Sequence, residues 1–501
     1  MITVCLNRAD FEYDIHSLVK AFYAGEEVKV FADQEKIRSL EQQSPPLFRI
    51  DVIYQAGEQG GKDNIEIILS GSPEAGKEKA PAVTRRETEA DFSDRKDMKN
   101  RLKRCLYRML SDYTGKVLPW GTLTGIRPVK ISMSMLEEGR GEAEIRTYLS
   151  DTYLASEQKT DLSIEIAKRE MKLLDQLDYE DGFSLYIGIP FCPSICSYCS
   201  FSSSPIENWK DRVDTYLDAL EHEISFVAQE CAHRKLNTIY VGGGTPTTLL
   251  PMQLGRVLRK IKQCFDLSHL SEYTVEAGRP DSITRDKLSV LKKYGVSRIS
   301  INPQTMKQET LDIIGRRHTT EQTIAAFRLA RELGFDNINM DLILGLPGEG
   351  IQDVENTMKS IQALSPDSLT VHSLAIKRAA RLKMFSEEYQ DFSMENSWET
   401  VDLTAKYARE MGLLPYYLYR QKNMAGNFEN VGYARPFREG IYNILMMEEK
   451  QTIMALGAGS ISKRVYQDGR IERCENVKDV SLYIEKIDEM IERKRKLFAE
   501  E

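Results

Sequence analysis

The sequence has 501 residues, 41% of them hydrophobic and 29% charged, and a formal net charge of -8. That length allows two or three domains with substantial cores, while the acidity argues against a general binder of nucleic acid. No apolar run approaches the roughly 20 residues that span a bilayer, and the opening MITVCLNR lacks the charged-then-apolar layout of a signal peptide, so a cytoplasmic protein without a membrane span is expected.

In chain order, residues 1–80 read as a small α+β region. Strands are expected over 1–6, 47–54 and 64–69, a helix over 11–23 and a turn over 57–63. The tract 71–90 is polar with Gly and Pro and reads as a loop or linker. A charged amphipathic helix over 91–113 places Met98, Leu102, Cys105, Leu106 and Met109 on one face. Its basic stripe suits either RNA or solvent, and solvent is preferred. Residues 118–130, with two Pro, two Gly and Trp120, should form an ordered loop, read as structural rather than ligand-contacting. Helices fill the stretch to 177.

From residue 184 apolar strands alternate with helices: strands over 185–189, 238–241, 273–276, 298–301, 337–344 and 368–371, helices near 209–230, 251–265, 284–294, 320–334 and 352–364. A helix after each strand, with right-handed crossovers, specifies a parallel sheet, closed or left open as a barrel. Chemistry in such folds sits at the C-terminal strand ends. The remainder, after about 380, ends in a charged helix over 481–499.

Of eight cysteines, five (Cys5, Cys105, Cys231, Cys264, Cys474) stand alone and read as small buried hydrophobes. The other three follow the first of these strands in YIGIPFCPSICSYCSF, residues 186–201. Three thiolates so spaced, Cys192, Cys196 and Cys199, can hold an iron–sulfur cluster and leave one iron open. A zinc site wants a fourth ligand, and none is near. A redox pair of Cys196 and Cys199 leaves Cys192 unexplained.

This segment resembles the signature of the radical S-adenosylmethionine (SAM) superfamily. Its wider wording is similar to the branch of oxygen-independent coproporphyrinogen III dehydrogenases (oxidases) and related haem chaperones. The resemblance implies an α/β fold, a partial (β/α)6 TIM-like barrel with a small N-terminal α+β domain and a C-terminal α+β segment. It divides the chain into an N-terminal domain (1–115), a helical connector (116–178), the radical SAM barrel (179–378) and a C-terminal substrate-covering domain (379–501). It also implies a [4Fe-4S] cluster and SAM as cofactors, with SAM cleaved to methionine and a 5′-deoxyadenosyl radical, and an external electron donor of flavodoxin or ferredoxin type.

Several positions read physically and by resemblance. Consecutive glycines at 242–244 let backbone approach a ligand closely, or simply form a tight turn. In the family this turn meets the SAM amino group, which assigns Gly243, Gly244 and Thr245. Glu276 and Asp341 are carboxylates in apolar strands, costly unless partnered; a buried salt bridge explains Glu276 as well as a ligand does. By resemblance Glu276 contacts SAM, and Asp341 contacts SAM or orders Arg316. Gln304 and Arg316 match further SAM contacts, Arg316 gripping a carboxylate. Tyr198 matches an aromatic packed on adenine. Tyr186 lies near the cluster or faces the core.

Residues 415–438 interleave aromatics with Arg and Lys, which suits a flat anionic ligand or an ordinary core and surface. Tyr417, Tyr419 and Tyr433 are candidates to line a tetrapyrrole, and Arg420, Lys422 and Arg435 to pair its propionates. With YRQKNMAGNFENVGY at 419–433 and the glycine turn in 447–460, the whole chain resembles HemZ-type coproporphyrinogen dehydrogenases. That implies oxidative decarboxylation of two propionates to vinyls, giving protoporphyrinogen IX in haem biosynthesis; a haem-delivery protein or radical chemistry on another tetrapyrrole is the alternative. Two positions depart from the best-known dehydrogenases: Phe201 replaces a fourth Cys, and Gly188 replaces a His.

Overall fold

Alternation builds the first sheet. Strands β1 (Ile2–Leu6), β2 (Val28–Phe31), β3 (Phe48–Gln55), β4 (Asn64–Gly71) and β5 (Thr84–Glu89) lie in the order β2-β1-β3-β4-β5. Phe48, Ile50, Val52 and Tyr54 of β3 are buried, and Ile65, Ile67 and Leu69 of β4 share their core. Helices α1 (Glu12–Phe22) and α3 (Arg95–Thr114) add Leu18, Val19, Leu102 and Leu106 to it. Each such Leu contributes about 1.5–3 kcal/mol by leaving water. The structure describes residues 1–57, 62–71, 83–125, 127–201, 203–375, 382, 394, 396–420 and 428–499 of the computed structural model. Lys422 and most of the turn expected at 57–63 lie outside them.

Three elements of this region depart from the sequence expectation. β5 occupies ground read as linker, and β2 and helix α2 (Gln34–Gln43) were not anticipated. β5 reads TRRETE with no fully buried residue; charge on an edge strand discourages pairing with other chains and erases the apolar signal. α2 buries only Ile37. On α3, Arg101 bonds Asp97 one turn back at 2.6 Å, while Lys103 is buried and donates to Thr124 Oγ1 at 3.1 Å. Helices α4 (Val129–Glu137), α5 (Glu142–Tyr153) and α6 (Glu157–Leu174) follow.

The chain divides into two compact units: Met1–Ala167 with Tyr419–Glu429, and Lys168–Leu418 with Asn430–Glu501. Within the first, Trp120 is fully buried and donates to Glu429 Oε2 at 2.8 Å, while Lys159 Nζ meets Glu429 Oε1 at 2.6 Å. The loop over 118–125 is thus ordered and structural. Gly121 has φ 53, and a Cβ there would meet the Tyr153 carbonyl at 2.0 Å, so only glycine fits.

The second unit holds the barrel. Six parallel strands, β6 (Gly182–Ile189), β9 (Lys235–Gly243), β10 (Glu272–Glu276), β11 (Arg298–Ser300), β12 (Ile338–Leu344) and β13 (Ser368–Ser373), lie side by side in chain order. Two-residue strands β7 (Phe191–Cys192) and β8 (Ser204–Pro205) bracket the cysteine loop. The crossovers are α7 (Val213–Glu230), α8 (Pro251–Cys264), α9 (Arg285–Lys293), α10 (Gln308–Ile313) with α11 (Thr320–Glu332), and α12 (Ile351–Leu364). This is a partial TIM-like barrel, extended at both edges. After α13 (Trp398–Glu410), β14 (Leu414–Tyr419) and β15 (Asn430–Ala434) join beyond β13. After α14 (Ile441–Glu448), β16 (Thr452–Leu456) pairs parallel with β6 and is followed by β17 (Ile461–Val465) and β18 (Ile471–Glu475). The expected C-terminal helix is two, α15 (Val480–Glu485) and α16 (Ile487–Ala499). Among the described residues no helix is long and apolar enough to cross a membrane.

Candidate active site

Side chains alternate along each strand, and the register puts Tyr186 beside Tyr240 and Tyr240 beside Thr274, with Glu276 two residues on, on the same face. Tyr186 and Tyr240 stack with centroids 6.2 Å apart, and Tyr442 of α14 stacks on Tyr240 at 4.7 Å and on Tyr186 at 6.3 Å. The Tyr240 hydroxyl donates to Glu276 Oε1 at 2.5 Å. Burial pushes Glu276 up to about 7, opposed by that hydrogen bond and aided by the Asp341 charge. On the same face Asp341 accepts from Asn339 Nδ2 at 2.7 Å and lies 3.9 Å from His372 Nε2. Burial would raise the Asp341 carboxyl, but its His372 and Asn339 partners outweigh it and hold it below its ordinary value.

The cysteine loop leaves the C-terminal end of β6. Cys199 N–H donates to the Cys196 carbonyl at 3.1 Å, and Ser197 N–H to the Ile314 carbonyl at 3.0 Å. Cys192 Sγ lies 3.4 Å from Thr245 Oγ1. Burial raises the Cys192 and Cys199 thiols; Cys192 also feels both other loop cysteines, and Cys199 feels Cys196. All three are free. Among the described residues no three His, Cys, Asp or Glu converge as a single metal ion requires. Three cysteine thiolates on one loop are the donor set of an iron–sulfur cluster with one iron left open. Of the lone cysteines Cys5, Cys105, Cys231 and Cys474 are buried, and Cys264 is half-buried.

The glycine turn is welded to this loop. Gly244 N–H donates to the Ile189 carbonyl and Thr245 N–H to the Phe191 carbonyl, both at 2.7 Å. A Cβ on Gly244 would lie 2.6 Å from the Phe191 carbonyl oxygen, and Gly243 has φ 102. Both positions therefore require glycine.

Gln304, also expected at the site, sits in the left-handed region with φ 67. It bridges β11 to β12, its N–H donating to the Asp341 carbonyl and its carbonyl accepting from Ile343 N–H, both at 3.0 Å. Arg316 is 6% exposed; Nη1 donates to the Asn302 and Gly278 carbonyls, while the buried Nε has no partner. A buried guanidinium nitrogen left open fits a bound carboxylate. Tyr198 lies within electrostatic reach of Arg316 and packs on Leu311, Ile314, Ile343 and Leu346.

The substrate candidates fare differently. Tyr433 pairs with Leu369, whereas Thr370, on the face of Asp341, pairs with Gly432. Tyr433 therefore points to the opposite face of the sheet, a correction that alternation imposes. Arg435 bonds Ser365 Oγ, and its N–H the Asp367 carbonyl. Both partners precede β13, so Arg435 lies at the end of the barrel opposite the cysteine loop and does not join the site. Arg420, in the first unit, is buried and spends its guanidinium on the Leu123 and Phe428 carbonyls; it is a brace rather than a propionate partner. Tyr417 covers Gly432, where a Cβ would meet its ring at 1.8 Å. Tyr419 is half-buried at the end of β14.

Sequence reasoning missed Tyr240, Tyr442 and His372, which follow from strand alternation and an inserted helix. It also missed Arg279, whose only signal is its place in Gly278-Arg279-Pro280, just past Glu276.

The radical SAM superfamily profile matches residues 186–361. The oxygen-independent coproporphyrinogen-III oxidase-like protein HemZ of Bacillus subtilis is 41% identical over 406 residues, covering 80% of this chain and 81% of that protein. The heme chaperone HemW of the same organism is 40% identical over 195 residues, 39% of this chain and 51% of HemW. Among solved structures, coproporphyrinogen III oxidase (HemN) from Escherichia coli superposes with a TM-score of 0.51 at 24% identity, covering 64% of this chain and 73% of its own, which supports the shared fold. On the strength of the long HemZ match, the chain belongs to the HemZ family of oxygen-independent coproporphyrinogen-III oxidase-like proteins within the radical SAM superfamily.

Proposed function

We propose that this chain is a radical SAM coproporphyrinogen III dehydrogenase that converts two propionates to vinyl groups and yields protoporphyrinogen IX. The observation that carries the reading is the HemZ likeness, which extends over 80% of the chain and so well beyond the barrel. In this reading Cys192, Cys196 and Cys199 hold a [4Fe-4S] cluster. When bound, cluster and SAM together supply one-electron cleavage of the sulfonium and hence a radical able to take hydrogen. An external one-electron donor of flavodoxin or ferredoxin type feeds the cluster.

The chain's own residues bind and orient. Arg316 Nε, buried without a partner, receives the SAM carboxylate. Glu276 and the turn of Gly243, Gly244 and Thr245 receive its ammonium, with Tyr240 fixing Glu276 Oε1. Gln304 and Asp341 hold the far side, Tyr198 packs on the adenine, and Tyr186 shields the cluster's flank. The stack of Tyr186, Tyr240 and Tyr442 closes the barrel beneath and excludes water. For each vinyl group a hydrogen atom, carbon dioxide and one electron leave the propionate.

A second reading, haem binding and delivery, is favoured by the HemW likeness over 195 residues. An anaerobic assay with reductant, SAM and coproporphyrinogen III separates the two. Vinyl product with 5′-deoxyadenosine and methionine is expected. Stoichiometric haem binding without vinyl product overturns the proposal in favour of the second reading.

A further inference from the structure

Arg279 follows β10 by three residues and is 3% exposed. A buried arginine must be paired and bonded to be tolerated, and its partners are informative. Nε and Nη2 form a two-pronged pair with Asp281, at 3.0 Å to Oδ1 and 2.8 Å to Oδ2. Nη1 reaches into the cysteine loop, 3.3 Å from the Ser194 carbonyl and 3.7 Å from Cys196 Sγ; Nη1 and Nη2 each lie 3.2 Å from Ser194 Oγ. Asp281 thus aims a planar cation at one sulfur. Arg316 also lies within reach of Cys196. His318, fully buried beside both arginines, is pushed down to about 4 by burial and by Arg316, so its ring adds no charge. Two guanidinium groups against one carboxylate leave a net positive charge beside Cys196.

We infer that Arg279, oriented by Asp281, is an electrostatic positioning residue for the cluster: its N–H to Cys196 Sγ and its charge favour the reduced state and raise the cluster's reduction potential. Hydrogen bonds to ligand sulfurs and local charge are the protein's means of setting such potentials. Reduction adds one electron and therefore negative charge to a group already held by three thiolates, and a nearby buried cation stabilises the product more than the reactant. The inference rests on the three cysteines holding a cluster, and is independent of the substrate.

The test is an anaerobic potentiometric titration of the SAM-free, reconstituted protein, followed by electron paramagnetic resonance, with dithionite as one-electron reductant. Arg279→Gln should lower the midpoint by the equivalent of a tenfold or larger loss in the reduction equilibrium, about 59 mV per tenfold for one electron. Arg279→Lys, which keeps the charge but is too short to hold the sulfur contact, should lower it by less. If Arg279→Gln fails to load iron, Arg279→Lys decides. A loaded variant with the wild-type midpoint overturns the inference, and reduced loading with an unchanged midpoint would mark Arg279 as a mere brace. Wild-type protein that takes up fewer than four irons counts instead against the cluster itself, and vinyl formation plays no part in either outcome.

Discussion

Glu276 ends β10 in a setting that holds on to its proton. Its folded value of about 7 lies above the ordinary 4.5, so the folded, SAM-free chain keeps a proton that the unfolded chain gives up. That contribution to stability is complete below about pH 4.5 and is lost as pH rises through about 7. An ammonium placed beside Glu276 reverses the preference, because it favours the carboxylate. SAM binding to the cluster-loaded protein should therefore release a proton below about pH 7, and affinity should climb by up to tenfold per unit as pH rises toward about 7 and level off above it. Calorimetry in buffers of different ionisation enthalpy measures the proton directly. Glu276→Gln should flatten the profile and weaken binding roughly tenfold or more; a wild-type affinity indifferent to pH sinks the assignment. At this scale the sequence was legible where a residue was out of place. Glu276 and Asp341 are acids inside apolar strands, and the cysteine spacing is specific. Arg279 was not, because a charged residue in a turn reads as surface until its burial is known. Tyr433 and Arg435 were misassigned because composition says nothing about which face or which end of a strand a side chain occupies.

Two glycines in the barrel separate what an element needs from what it tolerates. A Cβ at Gly244 would press on the backbone oxygens of Phe191 and Ile189 at 2.6 and 2.8 Å. Backbone cannot swing aside as a side-chain end can, so Gly244→Ala should displace the start of the cysteine loop, costing about 1–3 kcal/mol and lowering iron per chain after reconstitution. A Cβ at Gly255, in α8, would meet Val290 Cγ1 at 3.5 Å and Tyr294 Cε2 at 3.8 Å, both ordinary contacts. Gly255→Ala should stabilise the protein by about 0.5–1 kcal/mol through helix propensity and leave iron content unchanged. Thermal melts with iron analysis check both; equal behaviour of the two variants contradicts the argument. The contrast also explains what could be read of the elements. Strands buried on both faces advertise themselves as apolar runs, so all six barrel strands were foreseen within a few residues. β5 and α2, charged and mostly exposed, carry no such pattern and are held by pairing and packing that only the fold supplies.

The end of the chain is tied to the strand that launches the cysteine loop. Glu223 of α7 and Lys494 of α16 are both fully buried and 2.7 Å apart. The same carboxylate accepts from Gly457 N–H at 2.8 Å, Asn476 Nδ2 at 2.8 Å and the Tyr483 hydroxyl at 2.6 Å. Tyr216, two turns earlier on α7, donates to the Gly188 carbonyl at 2.7 Å and accepts from Ala458 N–H at 3.2 Å. The turn after β16 is so close to β6 that a Cβ on Gly457 would lie 2.4 Å from the Gly188 oxygen. Hence the C-terminal helices, the 457–460 turn and the end of β6 rest on one polar knot. Removing one partner of a buried ion pair costs about 3–5 kcal/mol, but the two sides are unequal here. Lys494→Met leaves a carboxylate with three neutral donors, and should cost about 3 kcal/mol. Glu223→Ala leaves the buried ammonium with only the neutral Asn476 Oδ1 and takes the acceptor from Gly457 N–H and the Tyr483 hydroxyl, and should cost about 5 kcal/mol or more. Denaturant unfolding gives the order, and hydrogen exchange should quicken at 457–460 and at 186–189 in both variants. If both lie within about 1 kcal/mol of wild type, or exchange quickens only in α16, the knot does not brace the strand that launches the cysteine loop.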